Sequence, residues 1–105
     1  MGELDMGILL AFRLKARLRP RDKTRFFRQL YGYVDRSQFG RYRYEREGFL
    51  SNIPHVRMIR AVLIIREEDL EAVEKFLVSV ADVQTRRVVL TKEDKRQLLG
   101  KVRRK

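Results

Sequence analysis

Ile8-Leu-Leu-Ala-Phe-Arg-Leu-Lys-Ala-Arg-Leu18 decides the fold. Leu10, Phe12, Leu14, Ala16 and Leu18 alternate with Ala11, Arg13, Lys15 and Arg17. A period of two is the mark of a strand, whose successive side chains point to opposite faces. One face of this strand is apolar and the other carries three bases. Such a strand belongs in an antiparallel or mixed sheet with one solvated face. The aliphatic stems of the bases can cover that face themselves.

Downstream, Pro20 ends the strand and suits the first position of a helix, where its missing N–H costs nothing. Asp22 in the first turn complements the helix dipole. Phe26, Phe27, Leu30 and Tyr31 form the inward stripe, which reads as core. Arg21, Lys23, Arg25 and Arg28 point outward, and Gly32 predicts the end.

Tyr31 to Gly48 holds all four tyrosines, together with Arg36, Arg41, Arg43 and Arg46. Two short strands are expected, Tyr31 to Val34 and Gly40 to Glu47, joined by a turn over Asp35 to Gly40. Alternation puts Tyr42, Tyr44 and Arg46 on one face and Arg41, Arg43, Glu45 and Glu47 on the other. The tyrosines either pack on the core or form a half-buried ledge, since tyrosine is amphipathic. The hairpin is expected to hold the sheet together.

Gly48 to His55 is a connection, and Val56 to Ile65 reads as one central strand buried on both faces at its end. Glu67 opens a second helix with three acids in its first turn and a stripe of Leu70, Val73, Phe76, Leu77 and Val80. Val83 to Leu90 is the last strand. Thr91 resembles an N-cap, a short helix runs to Leu99, and Gly100 stops it. Lys101 to Lys105 is a basic tail. The whole is one α+β domain over residues 1–100 plus the tail at 101–105. Its order predicts a ferredoxin-like βαββαβ unit: an antiparallel sheet, two helices on one face and a short C-terminal helix.

Charge bounds the function. The chain has 25 bases and 14 acids, a net charge of +11. Ile8 to Gly48 carries +8, Glu67 to Asp82 carries −5, and Val83 to Lys105 carries +7. A basic face and an acidic face follow, and a polyanion would meet the first. High charge also suits a thermophile surface, but ion-pair networks need both signs. There is no cysteine, which removes disulfides, thiolate metal sites and thiol nucleophiles and fits a cytoplasmic protein. Met1 to Gly7 has acids and no base, so no secretory leader is expected, and no apolar run is long enough to span a membrane.

The pattern calls for no cofactor and no metal, and no catalytic residue is assigned. Asp35 and His55 are the only pair worth weighing for metal-dependent nuclease chemistry. Asp35 sits in an expected turn, where carboxylates are ordinary, and His55 follows Pro54 at a loop-to-strand boundary. The RNA-recognition signature of aromatics on an open sheet is absent, because Val56 to Ile65 has no aromatic residue. Binding is therefore expected through phosphate contacts with limited sequence preference, to DNA or RNA. The candidate residues are Arg13, Lys15, Arg17, Arg41 and Arg43, with Tyr42 and Tyr44 as stackers and Arg57 and Arg60 as additions to the sheet set. The competing expectation is a homodimeric interaction module, its sheet pairing with a copy of itself.

The element order and the small, basic, cysteine-free build resemble the small ferredoxin-like subunit of CRISPR adaptation. That resemblance implies a DNA-contacting dimer. The family carries an Asp at the end of its first strand. Here that place reads Arg17-Leu18-Arg19-Pro20, so the resemblance implies no catalytic residue. The Tyr31-Gly32-Tyr33, Arg41-Tyr42-Arg43-Tyr44 and Ile53-Pro54-His55 pattern resembles small uncharacterised basic archaeal proteins and implies no function.

Overall fold

A computed structural model describes residues 5–37 and 40–102. The fold is α+β: one four-stranded antiparallel sheet, a separate two-stranded hairpin and three α-helices. In chain order these are β1 (Met6–Leu14), α1 (Pro20–Tyr31), β2 (Tyr33–Ser37), β3 (Tyr42–Arg46), β4 (His55–Ile59), β5 (Val62–Ile65), α2 (Leu70–Leu77), β6 (Ala81–Val89) and α3 (Lys92–Val102). The large sheet runs β4-β5-β1-β6, and β2 pairs only with β3. Expected turn positions at 38 and 39 and tail positions at 103–105 lie outside the described residues.

Strand β1 is central, paired with β5 on one side and β6 on the other. Ile8, Leu10 and Phe12 are buried on one face against Phe26 and Leu30 of α1 and Val73 and Leu77 of α2. Leu50 of the connection before β4, Leu63 and Ile65 of β5 and Ala81 of β6 complete this core. The α1 stripe turns Phe26 and Leu30 fully inward and leaves Phe27 and Tyr31 half-buried at the helix edge. Phe12, Phe26 and Phe27 contact one another, with centroids 5.3 to 6.0 Å apart.

The strand is shorter than its pattern. It ends at Leu14, where the Lys15 N–H donates to Val80 O and a turn closes with the Leu18 N–H on Lys15 O. Alternation continues through Ala16 and Leu18, but they lie in the turn rather than the sheet. Only Arg13 of the three expected bases is therefore on the strand.

Three further expectations change. Val56 to Ile65 is two strands, not one: β4 and β5 are joined at Arg60 and Ala61, with a register irregularity between Arg57 and Ile59. The Tyr31–Gly48 hairpin forms, but outside the main sheet, so it does not hold that sheet together. Helix α3 runs through Gly100, and it lies on the second face of the sheet, which the sequence leaves to the bases. Leu98 is completely buried there against Val56, Ile64 and Leu90, flanked by Leu9 and Val88. Its start is fixed by a reciprocal cap. The Thr91 N–H donates to the Asp94 carboxylate, and the Asp94 N–H donates to Thr91 Oγ1, each at 3.0 Å.

The hairpin joins the body through a neck of two glycines. Gly32 follows α1 at φ 83°, a conformation that favours glycine, and its N–H caps the helix on Arg28 O at 2.7 Å. Gly48 lies against it so closely that a Cβ there would sit 2.6 Å from Leu30 O and would collide with the Gly32 nitrogen. Beyond the neck every residue of β3 is exposed. The radius of gyration, 15.2 Å, exceeds the roughly 13 Å of a compact chain of this length, as a hairpin standing clear of the core requires.

Candidate nucleic-acid interface

Helix α1 buries one stripe, so its other face must be polar, and here it is basic. Arg21, Arg25 and Arg28 recur at spacings of four and three and are exposed on one side. They share a surface depression with Thr24, Tyr33 at the hairpin base and Glu47. The Arg28 guanidinium lies over the Tyr33 ring, 4.5 Å from its centroid.

At the other edge of α1 the half-buried rings of Phe27 and Tyr31 are parallel within 5°, with centroids 6.4 Å apart. The β4–β5 connection brings two more arginines onto them. Arg57 pairs with Leu63, whose side chain is in the α1-side core, so Arg57 faces α1. Its guanidinium carbon is 3.9 Å from the Tyr31 centroid, and that of Arg60 is 3.8 Å from the Phe27 centroid. The Tyr31 hydroxyl donates to Arg60 O at 2.6 Å and fixes the connection to the helix. Burial raises the Tyr31 pKa, against the opposing pull of Arg57 and Arg60, so the phenol stays a neutral donor. Arg28 belongs to both depressions, so α1, the hairpin base and the β4–β5 turn form one continuous surface.

The hairpin extends this surface. Its register sets Tyr33 opposite Arg46, Asp35 opposite Tyr44 and Arg36 opposite Arg43. Tyr33, Asp35, Tyr42, Tyr44 and Arg46 therefore share one face, and Val34, Arg36, Arg43 and Glu45 share the other. Arg46 pairs with Asp35 at 3.0 Å and sits 5.6 Å from the Tyr44 centroid. Like charges directly opposite each other destabilise a hairpin, yet Arg36 and Arg43 are opposed. A two-stranded hairpin exposed on both faces is marginal by itself.

The expected residues divide. Tyr42 and Tyr44 are not core: they are 46% and 49% exposed, on the face that carries Tyr33. Arg43 is exposed on the opposite hairpin face, and Arg41 is exposed in the turn beside Gly40. Arg13 and Lys15 stand apart. Both reach Asp82, at 3.4 and 4.0 Å, and they share a depression with Glu71, Glu74 and Lys75 of the acidic α2. Three bases there meet three acids, so the local field is close to balanced. Arg17 donates to Ser79 O at 3.0 Å. The basic field has its centre on α1 instead, and Arg57 and Arg60 join it rather than the sheet set. Sequence reading placed Arg21, Arg25 and Arg28 outward on a helix but did not join them to Arg57 and Arg60, some thirty residues away in the chain. No local pattern carries that proximity.

Asp35 is held by Arg46. His55 has Nδ1 2.8 Å from Ile53 O, and a carbonyl can only accept, so Nδ1 carries the hydrogen. Its ring packs on Tyr31, with centroids 6.4 Å apart. Among the described residues no three His, Asp or Glu side chains gather as a metal-binding group. No helix among the described residues is long and apolar enough to cross a membrane. The chain matches no protein-family model, no curated protein and no solved structure.

Proposed function

We propose that the protein binds nucleic acid, DNA or RNA, chiefly through backbone phosphates and with limited sequence preference. One observation carries this reading. The arginines of the α1 outer face, the β4–β5 turn and the Arg36–Arg43 pair have no carboxylate within 4.0 Å among the described residues. Several bases elsewhere are matched with acids: Arg66 with Glu68 and Asp69, Arg87 with Glu67, Lys95 with Asp5 and Arg96 with Glu93. Five arginines without a carboxylate partner, Arg21, Arg25, Arg28, Arg57 and Arg60, thus gather on one continuous surface, as a polyanion partner favours. Exposed tyrosines beside it add sequence-tolerant stacking.

The sheet supports a ferredoxin-like reading with the hairpin as an insertion. Without β2 and β3, the chain runs strand, helix, strand, strand, helix, strand, and its strands lie second–third–first–fourth. A cytoplasmic location is part of the same proposal, from the lack of cysteine. A homodimer is the second reading. It is favoured by the sheet order, which leaves nine-residue β6 at an edge, and by Ile59, 65% exposed. Light scattering of the free protein tests it, and a monomer at all concentrations refutes it.

The main reading is tested by titrating labelled single- and double-stranded DNA and RNA at two salt concentrations. Affinity should fall steeply with salt, and Arg25→Gln with Arg28→Gln should lower the slope by about one for each phosphate no longer neutralised. No binding at low salt refutes it.

A further inference from the structure

We infer that Arg57, Arg60 and Arg28 form a discrete site for a phosphomonoester, which on a nucleic acid is a phosphorylated strand end. This rests on the nucleic-acid reading for its physiological ligand, but the site itself rests on separate geometry. A shallow cavity of about 220 Å³ is lined by the three arginines with Thr24, Phe27, Tyr31 and Gly32. It is smaller than the roughly 300–1,000 Å³ of small-molecule pockets. It suits an ion-sized group rather than a base with its sugar.

The arginines are pre-positioned. Two guanidinium carbons already sit over the Tyr31 and Phe27 rings, 3.9 and 3.8 Å from the centroids. Arg28 is held over Tyr33 at the rim. A guanidinium held over a ring still has N–H groups to offer an oxygen ligand, and its planar fork matches phosphate bidentately. The side chains then give up less entropy on binding. Thr24 also lines the cavity and carries a hydroxyl able to donate.

The charge balance selects the ligand. Among the described residues no carboxylate pairs with any of the three arginines, and Tyr31 is neutral. The last turn of α1 contributes only about half a negative charge, against three full positive ones. A phosphomonoester carries close to two negative charges and three strong acceptor oxygens. An internal phosphodiester carries one charge and must bring both neighbouring nucleotides to the cavity.

The test measures binding of three oligonucleotides of one sequence, ending in a 5′-phosphate, a 3′-phosphate or hydroxyls only, and competition by inorganic phosphate against chloride at matched ionic strength. The phosphorylated strand of the fitting polarity should bind at least about tenfold tighter than the hydroxyl-ended one. Inorganic phosphate should remove that difference. Arg57→Gln with Arg60→Gln should abolish the preference, and Arg57→Lys with Arg60→Lys should lose most of it, because lysine keeps the charge but not the stacked fork. The phosphate competition uses the unmodified protein, so it holds even if a variant folds poorly. Equal affinity for all three strands, indifferent to phosphate, overturns the inference and leaves the nucleic-acid reading standing. Saturable phosphate binding without binding of any strand upholds the site and overturns the nucleic-acid reading. Absence of both overturns both.

Discussion

Replacing Leu98 by alanine isolates the attachment of α3 to the second face of the sheet. Leu98 is completely buried, and Val56, Ile64 and Leu90 around it are each less than a tenth exposed. The substitution removes three carbons. At about 0.8 kcal/mol per buried methylene, the transfer loss is roughly 2.4 kcal/mol. A cavity left behind would carry the cost toward the upper end of the 2–5 kcal/mol range of such substitutions. Leu98 is the one fully buried α3 side chain among the described residues, so the helix has an alternative to holding a cavity open: it can leave the sheet. The loss then cannot exceed the docking free energy of α3 itself. Two measurements separate these outcomes. Urea unfolding should show a loss of about 2–3 kcal/mol, and amide exchange over Lys95 to Leu99 should accelerate more than exchange in β1 and β5. Leu99→Ala is the control; Leu99 is 59% exposed, and the change should stay within about 0.5 kcal/mol. If Leu98→Ala shifts neither the midpoint nor α3 exchange, α3 is not anchored on this face and the account of the second core fails.

Gly48→Ala should strain the hairpin neck, because its Cβ would meet the backbone of Gly32, Leu30 and Tyr31 rather than a movable side-chain end. Since Leu30 is fully buried, the hairpin rather than the helix must shift, and a loss of about 1–3 kcal/mol is expected by thermal unfolding; an unchanged midpoint would show that the neck is loose. Asp22 loses more than it gains from protonation. Burial raises its pKa, but hydrogen bonds from the Arg19 side chain and backbone and the charges of Arg19 and Arg25 outweigh it and hold the value below 3.8. A depressed carboxyl pKa stabilises the fold fully above 3.8 and ceases to do so as pH falls through the lowered value. Asp22→Asn should therefore lower the melting temperature at neutral pH, and the gap should close in strong acid; a gap of constant size across pH would contradict the ion-pair origin.

Periodicity located the elements that are half-buried and failed at their ends. Leu10 and Phe12 declare the buried face of β1, but Ala16 and Leu18 extend the same alternation into a turn, because hydropathy does not register where a backbone N–H finds Val80 O. The β4–β5 turn escaped notice for a related reason. Arg60 and Ala61 contain neither glycine nor proline, and the apolar residues on both sides merge into one run. In the hairpin, alternation sorts tyrosines from arginines, since parity is local. Whether a face has anything to pack on is not local. Tyr42 and Tyr44 are exposed because the main sheet pairs elsewhere. Leu98 shows the same limit in reverse: a Leu98-Leu99 pair in a charged helix gives little sign that one of them plugs a second core. The basic surface is half legible in this sense. The outward arginines of α1 follow from its stripe, while the approach of Arg57 and Arg60 depends on tertiary packing.

The pairing of β1 with β6 bears on how the chain is made. All nine residues of β1 find partners in β6, from Met6 with Val89 to Leu14 with Ala81. Of the four strands of this sheet, β1 leaves the ribosome first and therefore waits for the last, β6. Until then its β6-side edge has no native partner, and closing so long a loop is slow because chain entropy is given up before the pairing rewards it. Strand β5 arrives sooner and covers the other edge over Ile8 to Ala11. A nascent chain halted before residue 81 would thus present a three-stranded sheet whose β1 edge is bare in addition to the native β4 edge, open to pairing with another chain. The chain up to residue 80 keeps a net positive charge, and its self-repulsion opposes such pairing at the stage when the edge is bare.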